Sequence, residues 1–130
     1  MVSVIYITYM RIDKHIQKSI RFEETMQKLD DENDYETIVE ICMLASAHYI
    51  NASLHKIGRL RIDKDIKHNV LEGFLKREKP FDNSEEVSIL IGRLERLRPS
   101  HVYGSGKNGE IARVAKECYF KIKQICEGIL

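Results

Sequence analysis

Between Asp34 and Ile57 the chain is apolar on two sides at once, and this constrains its fold more than any other feature. At about 100° per residue, Ile38, Ile41, Cys42, Ala45, Tyr49 and Ala52 share one helical face. Val39, Met43, Ile50, Leu54 and Ile57 form a second stripe. A helix with two apolar sides needs a partner on each, so this segment is expected to be the central helix of a bundle. Only a narrow face stays polar, carrying Glu40, His48, Asn51 and His55. Gly58 follows where a glycine suits the left-handed residue that closes a helix.

The flanking segments supply the partners. A first helix is predicted from about Ile12 to Leu29, with Ile12, Ile16 and Ile20 recurring every fourth residue and Phe22, Met26 and Leu29 widening the stripe. The acidic run Asp30–Asp34 breaks it, and Asn33 with Glu36 offers a capping box for the central helix. Beyond Arg59-Leu60-Arg61, a shorter helix is predicted from about Asp63 to Lys76, apolar through Ile66, Val70, Leu71, Phe74 and Leu75. A turn at Lys79-Pro80-Phe81-Asp82 leads to a cap at Asn83 or Ser84 and a seam of Val87, Leu90, Leu94 and Leu97. Pro99 disfavours helical geometry at Arg98, so this helix should stop near Leu97 or Arg98. The last helix, about Asn108 to Glu127, has a stripe of Ile111, Val114, Ala115, Cys118, Ile122, Ile125 and Ile129. The fold class expected is all-α: an antiparallel up-and-down bundle of four long helices plus one shorter helix.

A chain of 130 residues suits one domain with one core, here residues 11–130. Two prolines and seven glycines favour helices, and no apolar run approaches the roughly 20 residues of a membrane span. Residues 1–9 read as β-prone, so residues 1–10 are expected to be an N-terminal arm on the bundle or a second subunit, or to precede a start at Met10. Cys42, Cys118 and Cys126 lack zinc-type partners, and the expectation is reduced thiols in a cytoplasmic protein. A formal net charge of +1 confines any nucleic-acid contact to a local patch.

Chemistry is concentrated in Arg96-Leu97-Arg98-Pro99-Ser100-His101-Val102-Tyr103, at the end of an apolar helix. An arginine beside an imidazole can bind a phosphate, hold it by charge and move a proton next to it. Histidine titrates near roughly 6.5, so His101 is suited to take a proton from a ribose hydroxyl or give one to a leaving oxygen. This arginine, four residues, histidine, spacer and tyrosine resemble the R-x4-H-x-Y motif of HEPN domains, small all-helical proteins that include RNA-cutting toxins. Helix order and length, and the stretch Ser46–Gly58, are similar to that fold over residues 11–130.

The resemblance implies a metal-independent endoribonuclease, with His101 as acid and base and Arg96 or Arg98 on the scissile phosphate. It also implies a homodimer whose two motifs face one another, and a small nucleotidyltransferase antitoxin that modifies the motif tyrosine, here Tyr103. Two registers stay open, because Arg98 would set Tyr103 where the histidine belongs. Leu97 replaces the polar residue usual after the arginine, and Pro99 lies inside the motif. These departures suit a second reading, a non-catalytic binding module that partners a nucleotidyltransferase or binds a nucleotide. No cofactor follows from either.

Lys56, Arg59, Arg61 and Lys107 form a candidate RNA-binding patch, which the helix ends would have to assemble. His48, Asn51 and His55 share a helix face at spacings of three and seven. Metal ligation prefers histidines at i and i+4 with a carboxylate nearby, so hydrogen-bonded packing is expected instead and no metal site. Gly104-Ser105-Gly106-Lys107-Asn108 lacks the first glycine and the hydroxyl residue of a phosphate-binding loop, and reads as a turn into the last helix.

Overall fold

The computed structural model describes residues 4–61, 63–98 and 108–130, with side chains from residue 11 onward. It is an all-helical bundle: α1 (Val4–Met26), α2 (Tyr35–Lys56), α3 (His68–Glu78), α4 (Ser84–Arg96) and α5 (Asn108–Ile129). No strand occurs among the described residues. Helix α2 packs against both α1 and α5, while α3 lies on α4 and α4 on α5. The two apolar stripes of α2 account for this. Ile38, Val39, Cys42, Met43, Ile50, Ala52 and Leu54 are all fully buried.

Helix α2 ends as expected. The Arg59 amide donates to the Leu54 carbonyl (3.0 Å) and the Gly58 amide to that of His55 (3.2 Å), with Gly58 at φ 72°. These two bonds are a Schellman closure, which glycine enters without side-chain strain. The start of α2 differs from expectation. Asp34 is its N-cap and no side chain caps it; instead the Asp34 carboxylate turns back onto the Asp30 amide and the Asp30 carboxylate accepts from Asn33. The acidic run therefore satisfies its own turn. Ser84, beside the N-cap Asn83 of α4, likewise bonds Phe81 through both its amide and its carbonyl.

Four further expectations are corrected. Helix α1 begins at Val4, so the β-prone reading of residues 1–9 fails from that residue on. Extending a nucleated helix costs only tenths of a kcal/mol per β-branched residue, which tertiary context overrides. Among the described side chains of α1 the buried ones are His15, Ser19 and Met26; Ile16 and Phe22 of the expected stripe pack at the margin of the core, and Ile20 is 44% exposed. In α5 the buried line runs through Ala112, Ala115, Cys118, Tyr119, Ile122 and Cys126, leaving Ile111, Val114 and Ile125 at its margin. Tyr119 is admitted because its hydroxyl donates to Glu23 (2.7 Å), which also accepts from Lys123 (2.8 Å).

The fourth correction concerns α3, which starts at His68, not Asp63. The Asn51 side chain explains why: its Oδ1 accepts from the Ile66 amide (2.8 Å) and its Nδ2 donates to the Ile66 carbonyl (3.0 Å). Both backbone groups of Ile66 are thereby engaged against α2, and residues 64–67 form a non-helical strap that is extended at Lys67 (φ −65°, ψ 145°).

Candidate functional site

Two regions gather polar chemistry. The first is the end of α4. Helix α4 stops at Arg96, with Leu97 as its C-cap and the Leu97 amide bonded to the carbonyls of Arg93 and Leu94. The Leu97 side chain packs at the edge of the core, continuing the Leu90–Leu94 seam. Both arginines face carboxylates. The Arg98 Nε donates to Glu40 of α2 at 2.7 Å, and its Nη1 lies 3.8 Å from Glu95. The Glu40 hydrogen bond holds the guanidinium pKa above its usual value. Glu95 in turn accepts from or pairs with His68 Nδ1 at 2.6 Å. Arg96 is freer: its side chain is 65% exposed and its guanidinium reaches Glu72 only at 3.4 Å.

His101, Tyr103 and Lys107 lie outside the described residues. The basic patch is thus described in part. Arg59 donates to the Glu78 carbonyl (3.4 Å), and Arg61 pairs with Asp63 (3.2 Å). Lys56 stands in the last turn of α2.

The second region was only half visible in the sequence. His48, Asn51 and His55 do share one face of α2, but the fold sets His15 of α1 and Asp65 of the strap directly against it. His15 Nε2 lies 2.9 Å and His55 Nε2 2.8 Å from the same oxygen, Asp65 Oδ1. Arg11 grips that carboxylate through Nη2 on Oδ2 (2.8 Å) and Nε on Oδ1 (3.3 Å). On its other edge His15 Nδ1 meets His48 Nδ1 at 2.8 Å. The rings of His15 and His55 stack with centroids 5.7 Å apart, and Phe22 stacks on His48 at 6.0 Å.

Electrostatics follow from this packing. Burial pulls both His15 and His48 below the ordinary imidazole range, His48 to about 4, so both are neutral at pH 7. Burial alone would raise the Asp65 carboxyl; hydrogen bonds from His55, His15 and Arg11 overcome it and hold the group well below the carboxylate range. With Asp65 ionised, His15 donates from Nε2, so its Nδ1 accepts a proton from His48. His55 Nδ1 is buried and has no hydrogen-bond partner among the described residues. His48 also lines an open groove of about 400 Å³ with Lys18, Arg21, Phe22 and Thr25.

The expectation against a metal site weighed residues 48, 51 and 55 alone. A carboxylate does lie against this face, Asp65, and the imidazole that shares it with His55 is His15, 40 positions away in sequence. His15 carried no signal because apolar periodicity pointed to the neighbouring isoleucines. Side-chain donors of His15, His55 and Asp65 all fall within 4.8 Å of one another. No protein-family model matches this chain, and neither a curated protein nor a solved structure does so.

Proposed function

We propose that the chain is a HEPN-like protein, its long helices arranged up and down and paired as a homodimer, that cuts RNA at the end of α4. Arg96 carries the proposal: it stands exposed at the last turn of the helix, with four residues between it and His101 in the register that matches R-x4-H-x-Y. Arg98 supports the same register by exclusion. Its guanidinium is already neutralised by Glu40 and Glu95, whereas Arg96 has only a long contact to one carboxylate.

In this reading Arg96 holds the scissile phosphate and offsets charge growing on its oxygens. His101 removes the 2′-hydroxyl proton, the 2′-oxygen attacks phosphorus, and the bond to the 5′-oxygen breaks as that oxygen regains a proton. Tyr103 supports the imidazole or receives a nucleotidyl group from an antitoxin. Lys56, Arg59, Arg61 and Lys107 contact flanking phosphates, so binding weakens steeply with salt.

The test is cleavage of end-labelled mixed RNA in the presence of a chelator. Wild type and Arg98→Gln should cut, while His101→Ala and Arg96→Gln should lose at least 100-fold in rate with unchanged circular dichroism. Equal cutting by His101→Ala overturns the assignment. A second reading, a non-catalytic module bound to a nucleotidyltransferase, draws support from the apolar, core-edge Leu97 and from the ion pairs on both arginines. It gains if folded wild type cuts no RNA.

A further inference from the structure

The side chains around Asp65 point to a site that is separate from the end of α4. We propose that His15, His55 and Asp65 bind one divalent transition-metal ion, with two imidazoles and one carboxylate as ligands and an open position facing solvent.

Convergence is the first argument. Three donors from α1, α2 and the strap reach one point, and both imidazoles direct Nε2 at the same carboxylate oxygen, at 2.9 and 2.8 Å. Metal–ligand bonds of about 2.0–2.2 Å in a tetrahedron hold donors roughly 3.3 Å apart, so a cation needs Asp65 Oδ1 to draw back from each imidazole by a few tenths of an ångström. Asp65 can supply that movement because it sits in non-helical backbone, whereas both histidines are set in helices.

Support around the donors is the second. The surrounding contacts hold the donors in place, and only the longer Arg11 Nε contact to Asp65 Oδ1 (3.3 Å) falls on an inner atom, which a cation would have to displace. His48 meets the outer nitrogen of His15 (2.8 Å), and Arg11 holds the outer oxygen of Asp65 (2.8 Å). Asn51 grips the backbone of Ile66 next to Asp65. Partners of this kind fix the ring orientation and tautomer of a metal ligand.

Exposure is the third. The His55 side chain is fully buried and that of His15 is 9% exposed, while Asp65 is 39% exposed. The ion would therefore rest on a buried imidazole floor and be reached from the carboxylate side, where water can complete its coordination. Nitrogen-rich donors suit zinc, cobalt or iron(II) over calcium or magnesium, which take all-oxygen sites.

Metal binding also makes a structural demand on a residue outside the coordination sphere. A cation on His15 Nε2 requires the proton on Nδ1, which then donates to His48 Nδ1 and moves the His48 proton to Nε2. The His15–His48 hydrogen bond thus reverses direction on loading.

The experiment is a cobalt(II) titration of the chelator-stripped full-length chain, followed by zinc displacement. One ion per chain is expected, with visible d–d bands that zinc abolishes. His55→Gln and Asp65→Asn should each weaken binding at least 100-fold, His48→Ala by about 10–100-fold, and His68→Gln not at all. Because a variant in the cluster can misfold, histidine 15N NMR of wild type is read in parallel. Zinc should shift Nε2 of His15 and His55 and convert His48 from its Nδ1–H to its Nε2–H form. Absence of cobalt bands, or binding equally strong in folded Asp65→Asn, overturns the site. No RNA enters these measurements, so their outcome stands apart from that of the cleavage assay.

Discussion

The three cysteines show how far packing controls reactivity. Burial pushes the Cys42 and Cys126 thiols up to about 12 and raises Cys118 as well. The thiolate is the reactive form, so at pH 8 the native protein should react negligibly with Ellman's reagent, while all three groups titrate in guanidinium. Rapid labelling of folded protein would contradict this burial. Glu23 behaves in the opposite sense. Burial alone would raise its pKa, but hydrogen bonds from Lys123 and Tyr119 hold it below the ordinary value. A depressed carboxyl contributes stability above its unfolded pKa, and that contribution is lost as pH falls through the folded one. Urea midpoints should therefore drop on acidification below the ordinary carboxylate range. Glu23→Gln should cost about 1 kcal/mol at pH 7 and flatten that acid limb.

Helices were legible in the sequence wherever periodicity and packing agree, and misread where a polar side chain decides the matter. Helix α2 and its Gly58 terminus followed directly from the spacing of apolar residues and the need for a positive φ. Gly58→Ala should destabilise by about 1 kcal/mol in thermal or urea unfolding, because a Cβ is strained at φ 72°. By contrast, α1 turns inward on His15 and Ser19, the latter satisfied by donating to the Ala45 carbonyl (2.8 Å), and no hydrophobic pattern marks such a face. The start of α3 was misplaced for the same reason. Ile66 fits an amphipathic helix, but Asn51 takes its backbone first. Asn51→Ala should cost about 1–3 kcal/mol, since both backbone groups of the half-buried Ile66 lose their partner. It should also speed amide exchange at Ile66 while the middle of α2 stays protected. A uniform loss of protection would show that the strap and bundle open together. The candidate site was half legible: α2 displayed its His48–Asn51–His55 face, but the partners come from 33 and more residues before it and ten or more after. Only the fold brings those together.

At the level of the whole molecule, α2 is the element on which the others depend. It is packed against both α1 and α5 and touches α3 and α4 as well. The polar cluster lies on the α1 side, and the Tyr49–Tyr119 ring contact on the α5 side, with centroids 6.3 Å apart. This division has a consequence during synthesis. Helix α1 precedes α2 and can dock as soon as both have left the ribosome, whereas the covering from α5 begins only at Asn108, some 50 residues after Lys56. At translation rates of 5–20 residues per second, the second flank of α2 waits roughly 3–10 s for its cover. Ribosome-bound chains stalled before α5 should recruit a hydrophobic-binding chaperone, and full-length chains should release it. The sequence distance between α2 and α5 thus sets the time for which the nascent chain depends on help from the cell.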